Sequence, residues 1–503
     1  MALRDLPHPL MRDRRAGVLL HPTSLPGEGS NGTLGVEAYR FVDFLADSGL
    51  TLWQMLPLGP THLNRSPYQT LSVHAGNPDL IDLDDLVARQ WLSPEHRFSE
   101  TPKQARRRAA DCFFSHYDDQ PDSAESFERF CYEQHHWLDD YALFMALRDC
   151  YPEGDWTHWP DDVRLRRTQG MARMRRELTQ PIEIYRFEQF IFNQQWQALR
   201  HYAREKQVAL FGDMPIFVAH DSADVWANQS LFHLDAAGQP LTVAGVPPDY
   251  FSEDGQHWGN PHYNWEEMQA NDFRWWRQRV STQLLWFDLV RLDHFRGLEA
   301  FWEIPASTPQ PRLGRWVEAP GRALLNSLFR EHKNLPLVAE NLGVITEEVE
   351  VLRESFKLPG MVVLQFAFDG NSDNPHLPHN YSPHTVVYTG THDNDTSLGW
   401  FCSQEQAVQE RLLDYCHHSQ DDMPDLLVRL ALSSVANIAI IPLQDLLGLN
   451  SEHRMNRPGT EEGNWLWRFA WPQVPPDLPQ RMIHWLTLYG RQPNLSLNHH
   501  SRL

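Results

Sequence analysis

Four acidic side chains stand just after short apolar runs: Asp213 after ALFG, Asp293 after LVRL, Glu340 after PLVA and Asp393 after VVYTGTH. A single acid after a strand commonly caps a helix or shapes a turn. Four of them on one set of parallel strands would instead converge on one cavity at the strands' carboxyl ends. In RLDHFRG (291–297), Arg291 and Asp293 are two residues apart, so on a strand they share a face. A guanidinium beside a carboxylate favours its ionised form, as a nucleophile requires. From these residues alone, a buried Arg–Asp pair bracing the barrel rim remains an equal alternative. Glycosyl transfer with retention needs a carboxylate nucleophile and a carboxylic acid about 5–5.5 Å apart, the acid raised by environment such as a nearby negative charge. Asp293 and Glu340, on neighbouring strands, are candidates for those roles. Asp393 would be a third carboxylate, binding sugar hydroxyls and favouring an oxocarbenium-like transition state.

Elements that could position these acids recur along the chain. Near-continuous apolar runs at 17–21, 52–58, 208–211, 289–292, 335–339, 361–368, 385–388 and 438–441 suit parallel strands covered on both faces. Helical patterns lie between several of them. Asn271 or Asp272 can cap a segment with Phe273, Trp276, Val280 and Leu284 on one stripe. Thr346 can cap another with Val349, Leu352 and Phe356 inward, stopped by Pro359-Gly360. Strands alternating with helices indicate a parallel α/β sheet, and eight strands favour closure. The predicted fold is α/β, a (β/α)8 TIM barrel. About 84–206, far more than one crossover needs, is rich in Arg, Glu, Trp and Phe with helical spacing, as over 183–204. It is expected to be a large, mostly helical insertion between strands 2 and 3.

Bulk composition narrows the function classes. The formal net charge of −22 opposes a polyanion, so no nucleic-acid partner is expected. Five cysteines, with no CxxC pair and no metal-ligand spacing, do not form a disulfide framework. The N-terminal residues are broken by charge and proline, and no run approaches the roughly 18 apolar residues of a membrane span. A cytoplasmic protein is expected. Nineteen tryptophans are mostly packing residues, although some could stack on the apolar faces of sugar rings.

One family matches these residues in order along nearly the whole chain. GVLLHPTSLPG (17–27), LWQMLPLGPT (52–61), SPYQTLS (66–72), AGNPDLIDL (75–83), GDMPIFVAHDSADVW (212–226), GVPPDYFSEDGQHWGNPHYNW (245–265), RLDHFRG, VAENLG (338–343), GTHDNDTSLGW (390–400) and RMNRPGTEEGNW (454–465) resemble the 4-α-glucanotransferases called amylomaltases or disproportionating enzymes, within the α-amylase clan. The resemblance implies that Asp293 is the nucleophile, Glu340 the acid/base and Asp393 the transition-state carboxylate. Asp213 and Arg291 match the clan's supporting residues, and His392 a ligand of sugar hydroxyls. Ser66, Tyr68, Trp258, Asn260, His294 and Phe366 match substrate-contacting positions, with barrel core as the alternative for Phe366. Tyr250 and Phe251 fall in a loop resembling one that covers the acceptor. By this likeness residues 1–503 form a single catalytic barrel, with an active-site loop insertion over about 241–270. The chain looks like the compact type, without a long N-terminal extension. Gln54, after Trp53, stands where an aromatic would extend a surface platform for glucan.

The activity implied is transfer of α-1,4-glucan segments from a maltooligosaccharide to an acceptor 4-hydroxyl, with no cofactor, no metal and no obligate protein partner. An α-amylase-type hydrolase with the same carboxylates is the alternative.

Overall fold

The eight apolar runs form the eight strands of one parallel barrel. In the computed structural model, which describes residues 8–248, 254–417, 422–460 and 462–492, the strands are β1 (Arg15–Leu19), β2 (Leu52–Gln54), β3 (Ala209–Pro215), β4 (Thr242–Val246), β5 (Gln256–Pro261), β6 (Leu289–Asp293), β7 (Ala300–Pro305), β8 (Arg315–Glu318), β9 (Leu337–Ala339), β10 (Gly360–Val363), β11 (Thr385–Tyr388) and β12 (Ile438–Pro442). Eight of them pair in the order β10-β11-β12-β1-β2-β3-β6-β9. Between the two ends of that order, the Ala339 N–H donates to the Pro359 carbonyl at 2.9 Å.

Strand phase divides the barrel into an interior and an exterior. Leu52, Phe211, Leu289, Val338, Val386 and Ile438 pack into one cluster, while their neighbours Trp53, Leu210, Val290, Leu337, Val387 and Ala439 belong to the cluster shared with the surrounding helices. This two-residue alternation explains why the runs carry almost no polar residues. It also carries the same inward phase up each strand: from Phe211 to Asp213, from Leu289 to Arg291 and Asp293, and from Val338 to Glu340. β1 and β2 run so close that a Cβ at Gly17 would lie 2.4 Å from the Leu52 Cβ, so only glycine fits there.

Trp53 and Gln54 are not part of any surface. Trp53 is fully buried and donates Nε1–H to the Leu20 carbonyl at 2.8 Å. Gln54 points into the barrel, where its Oε1 accepts the Tyr388 hydroxyl at 2.9 Å.

Between β2 and β3 lie long helices, among them Pro102–Ser115, Pro121–Cys150 and Thr179–Glu205. Phe113 joins them, with Phe187 and Phe127 at centroid distances of 5.2 and 5.6 Å. The buried Arg106–Glu188 pair, at 2.8 Å, ties the first to the last. The helix Arg274–Trp286 starts not from Asn271 or Asp272 but from Phe273, left-handed at φ 54° and without a side-chain cap. Asn271 Oδ1 accepts the Arg274 N–H at 3.1 Å from just outside the helix.

The segment expected as a loop insertion contains strands instead. β4 and β5 join β7 and β8 in a second, antiparallel sheet of order β5-β4-β7-β8. The glycine and proline within QHWGNP (256–261) hide β5 from a pattern search, because both residues are read as strand breakers. Among the described residues no helix is long and apolar enough to cross a membrane, and all five cysteines are free.

Candidate active site

The strand phase described above brings Asp213, Arg291, Asp293 and Glu340 to one end of the barrel. β3 and β6 pair with Asp213 opposite Arg291 and Pro215 opposite Asp293. Arg291 bridges the two acids: Nη1 donates to Asp213 Oδ2 at 2.6 Å, and Nη2 forms an ion pair with Asp293 Oδ1 at 2.8 Å. Burial opposes its charge, but the two carboxylates outweigh that and raise its pKa further.

Glu340 follows β9 directly, and each of its carboxyl oxygens accepts a backbone N–H. His294 N–H reaches Oε2 and Leu342 N–H reaches Oε1, both at 2.7 Å. His294 presents its N–H from a left-handed conformation, φ 53°, which a non-glycine residue holds only when its surroundings impose it. Burial, with the Asp293 charge, pushes the Glu340 carboxyl up from 4.5 to about 7, against the lowering pull of Arg291 and the two amides. Near neutral pH Glu340 therefore holds its proton far more than an ordinary glutamate does.

Asp393 is reached five residues after β11 and is held on three sides. His392 Nε2 lies 3.3 Å from Oδ2, Asn456 Nδ2 donates to Oδ1 at 2.6 Å, and Arg454 donates to its main-chain carbonyl at 2.9 Å. Its side chain, 44% exposed, faces the open cleft. Enclosure raises its pKa, but the His392 charge and hydrogen bond, Asn456 and Arg291 together hold it down to about 2. In return Asp393 raises the His392 pKa against burial. Tyr68 closes the chain of contacts: its hydroxyl donates to Asp213 Oδ2 at 2.7 Å and its ring stacks on His392 at 4.9 Å. The path Asp293–Arg291–Asp213–Tyr68–His392–Asp393 is thus continuous.

A cleft of about 780 Å³ opens over these groups, within the roughly 300–1,000 Å³ usual for small-molecule sites. Of the predicted residues, Ser66, Tyr68, Trp258, Asn260, Arg291, Asp293, His294, Glu340, Phe366, His392 and Asp393 line it. Asp213, 1% exposed, lies behind Tyr68 and Arg291. Trp258 and Asn260 come from β5, and the Trp258 ring meets the His294 ring edge-on at 4.8 Å. Burial lowers the His294 imidazole to about 3, so it is neutral. Phe366 sits in the 3-10 turn Leu364–Phe366 after β10 and faces the cleft. Tyr250 and Phe251 lie outside the described residues.

Sequence reasoning missed Asn456, Arg454 and Trp465. All three belong to RMNRPGTEEGNW, whose likeness to the family was visible but whose contact with Asp393, some 60 positions away, was not. Trp465, in a left-handed conformation at φ 62°, adds an aromatic wall 5.9 Å from His392 and 6.1 Å from Tyr68. Among the described residues no group of three or more His, Cys, Asp or Glu is placed to hold a metal ion. Chemically the site offers a carboxyl group raised by burial, an ion-paired carboxylate and a third carboxylate held well below the usual range, around one cleft.

Comparison with known proteins covers most of the chain. A family model described as 4-alpha-glucanotransferase matches residues 20–473. The 4-alpha-glucanotransferase of Thermus thermophilus is 46% identical over 486 residues, covering 93% of this chain and 97% of that protein. The chloroplastic/amyloplastic 4-alpha-glucanotransferase of Solanum tuberosum is 42% identical over 90% of this chain and 82% of that protein. Among solved structures, amylomaltase from Streptococcus agalactiae in complex with acarbose superposes with a TM-score of 0.91 at 35% identity, covering 95% of this chain and all of that one.

Proposed function

The chain belongs to the 4-alpha-glucanotransferase family, and on that premise we propose that it transfers α-1,4-glucan segments by a retaining double displacement, with Asp293 as nucleophile, Glu340 as acid/base and Asp393 as transition-state carboxylate. It is a transferase of that family; the assignment of steps to residues is our reading. The observation that carries it is the electrostatic contrast around one cleft: Glu340 raised to about 7 and Asp393 lowered to about 2. Two carboxyl groups driven in opposite directions mark an acid and an anion.

In the first half-reaction Glu340 protonates the glycosidic oxygen while Asp293 attacks the anomeric carbon. The C–O bond breaks, the reducing-end fragment leaves as an alcohol, and a β-linked glucosyl ester forms on Asp293. Asp393 and His392 hold hydroxyls of the distorted sugar, and the Asp393 charge favours the positive transition state. In the second half-reaction Glu340, now ionised, takes the proton from an acceptor 4-hydroxyl. That oxygen attacks the anomeric carbon, Asp293 leaves, and the α linkage is restored. Together the two half-reactions exchange one α-1,4 bond for another, so donor and product are both maltooligosaccharides, in a cytoplasmic setting.

Incubation with maltotriose tests the reaction: a ladder of longer oligosaccharides plus glucose is expected, and maltose and glucose alone would show a hydrolase. A 5-fluoro-α-glucosyl fluoride tests the covalent step. Mass spectrometry should find the sugar on the peptide carrying Asp293, and an adduct elsewhere, or none under turnover, would sink the assignment.

A further inference from the structure

We propose that Arg296 is a positioning residue for Glu340, tethering the loop whose amide holds the acid/base carboxyl; this rests on the role given to Glu340 above. Arg296 lies in the turn Phe295–Leu298, directly after β6, three residues beyond Asp293. It belongs to RLDHFRG, yet the mechanism so far gives it no part. Its guanidinium is nearly buried, at 6% exposure. The nearest carboxylate oxygen it meets, Glu299 Oε2, is 4.0 Å away, and its Nε has no hydrogen-bond partner. A cation so poorly paired is costly to bury, and an apolar side chain would fill the space at less cost.

What the guanidinium does provide is a bridge between three elements. It lies over the Trp316 ring of β8, 3.6 Å from the centroid, a cation–π seat that is backed by Trp302 edge-on at 5.1 Å. From that seat Nη1 donates to the Val344 carbonyl. Val344 is half exposed and follows Gly343, whose φ is 83°, so the loop tip has little packing of its own. Two residues earlier, Leu342 supplies the N–H on Glu340 Oε1. At its start the loop is secured by Asn341, whose Oδ1 accepts the Met361 N–H at 2.8 Å and whose Nδ2 donates to Glu350 at 2.7 Å. The far side of Leu342 is secured by Arg296. The same turn after β6 thus begins with the His294 N–H on Oε2 and, two residues on, governs the N–H on Oε1.

The consequence is directional. The charged groups facing Glu340 are Arg291 and Asp293 from β6, with the amides of His294 and Leu342. A carboxylate that loses an amide donor loses stabilisation of its ionised form, so its pKa rises. Releasing the loop should move the basic limb of the pH–kcat profile upward by about one pH unit and lower kcat about tenfold through misplacement of the acid. Arg296 and Trp316 also line the cleft, so donor KM is measured beside kcat: a loss confined to KM would mark a substrate contact and overturn the positioning role.

The test compares Arg296→Met, which keeps the apolar stem, with Trp316→Ala, which keeps the charge but removes its seat. Both are assayed on maltotriose across pH with thermal unfolding alongside. The proposal expects the limb to rise in both variants, less in Trp316→Ala. A limb that moves in Arg296→Met alone would report lost charge and overturn the positioning role. Wild-type limbs with a lowered Tm would show a merely structural residue and overturn it too. If Arg296→Met does not fold, Trp316→Ala, altered at a partly exposed ring, decides by the same readout. Glu340→Gln is the control for the premise. Wild-type kcat in that variant would remove Glu340 from the mechanism, whereas an inactive Glu340→Gln with unmoved limbs in the other two removes only the tether.

Discussion

Replacing Asn456 by alanine isolates one hydrogen bond to Asp393, the carboxylate proposed to act on the transition state. The Asn456 Nδ2–Asp393 Oδ1 contact is 2.6 Å, the short range of charge-assisted bonds. Bonds to a charged group contribute about 1.5–3 kcal/mol. If Asp393 acts mainly on the transition state, that energy appears in kcat/KM as a loss of roughly 10- to 150-fold. Asn456 lies on a partly exposed loop, so folding should change little. Asp393 keeps its contact with His392 at 3.3 Å, which sets an upper bound: the variant should stay well above Asp393→Ala. The Asp393 pKa should also rise from about 2, because Asn456 is one of the groups lowering it. The assay is initial-rate release of glucose from maltotriose, with Tm measured in parallel. A kcat/KM within twofold of wild type would refute the reasoning, since the bond would then contribute equally to the free enzyme and to the transition state. A fall in Tm that accounts for the lost activity would refute it as well.

Other outcomes follow from the same geometry. With Glu340 raised to about 7, the protonated acid is available below that value, so donor cleavage should fall as pH rises through about 7. Glu340→Gln should lose at least about 100-fold on maltotriose but much less on an α-maltosyl fluoride, whose leaving group needs no proton; equal losses on both would argue against an acid role. The same raised pKa means the folded state holds the proton more tightly, so the Glu340 contribution to stability is complete below about 4.5 and lost as pH rises through about 7. Urea midpoints should therefore show Glu340→Gln gaining on wild type between pH 5 and pH 8, and a constant difference would contradict this. Arg291→Lys should cost roughly 30- to 150-fold in kcat/KM, because one ammonium cannot reproduce a fork that bridges Asp213 and Asp293; near-normal rates would count against that bridge. Arg491, fully buried, donates to the carbonyls of Leu432 at 2.6 Å, Ala436 at 2.8 Å and Arg15 at 2.9 Å at the start of β1, opposite the cleft. Arg491→Ala should lower stability by about 3 kcal/mol with kcat of the folded enzyme unchanged, as read by urea denaturation and active-site-normalised rates.

The sequence by itself determined the barrel and its acids. Eight apolar runs can be found without a structure because a strand covered on both faces has no polar position to spare. For the same reason an acid at the end of such a run, in phase with inward residues such as Phe211, Leu289 and Val338, has one direction to point. The family likeness of RLDHFRG, VAENLG and GTHDND then implied separate roles for Asp293, Glu340 and Asp393, which stand as proposals.

Only the tertiary structure decided what surrounds those acids. The antiparallel sheet that carries Trp258 and Asn260 was hidden by glycine and proline, since strand pairing supplies a stability that local propensity does not record. Trp53 and Gln54 turned out to be barrel wall and barrel interior, because a three-residue strand gives too little alternation to assign its faces. Asn456 on Asp393, and Arg296 on the loop beyond Glu340, bring together residues far apart in the chain. Their partners, and hence the opposite shifts of the Glu340 and Asp393 carboxyl groups, depend on distances of a few ångströms that only packing establishes.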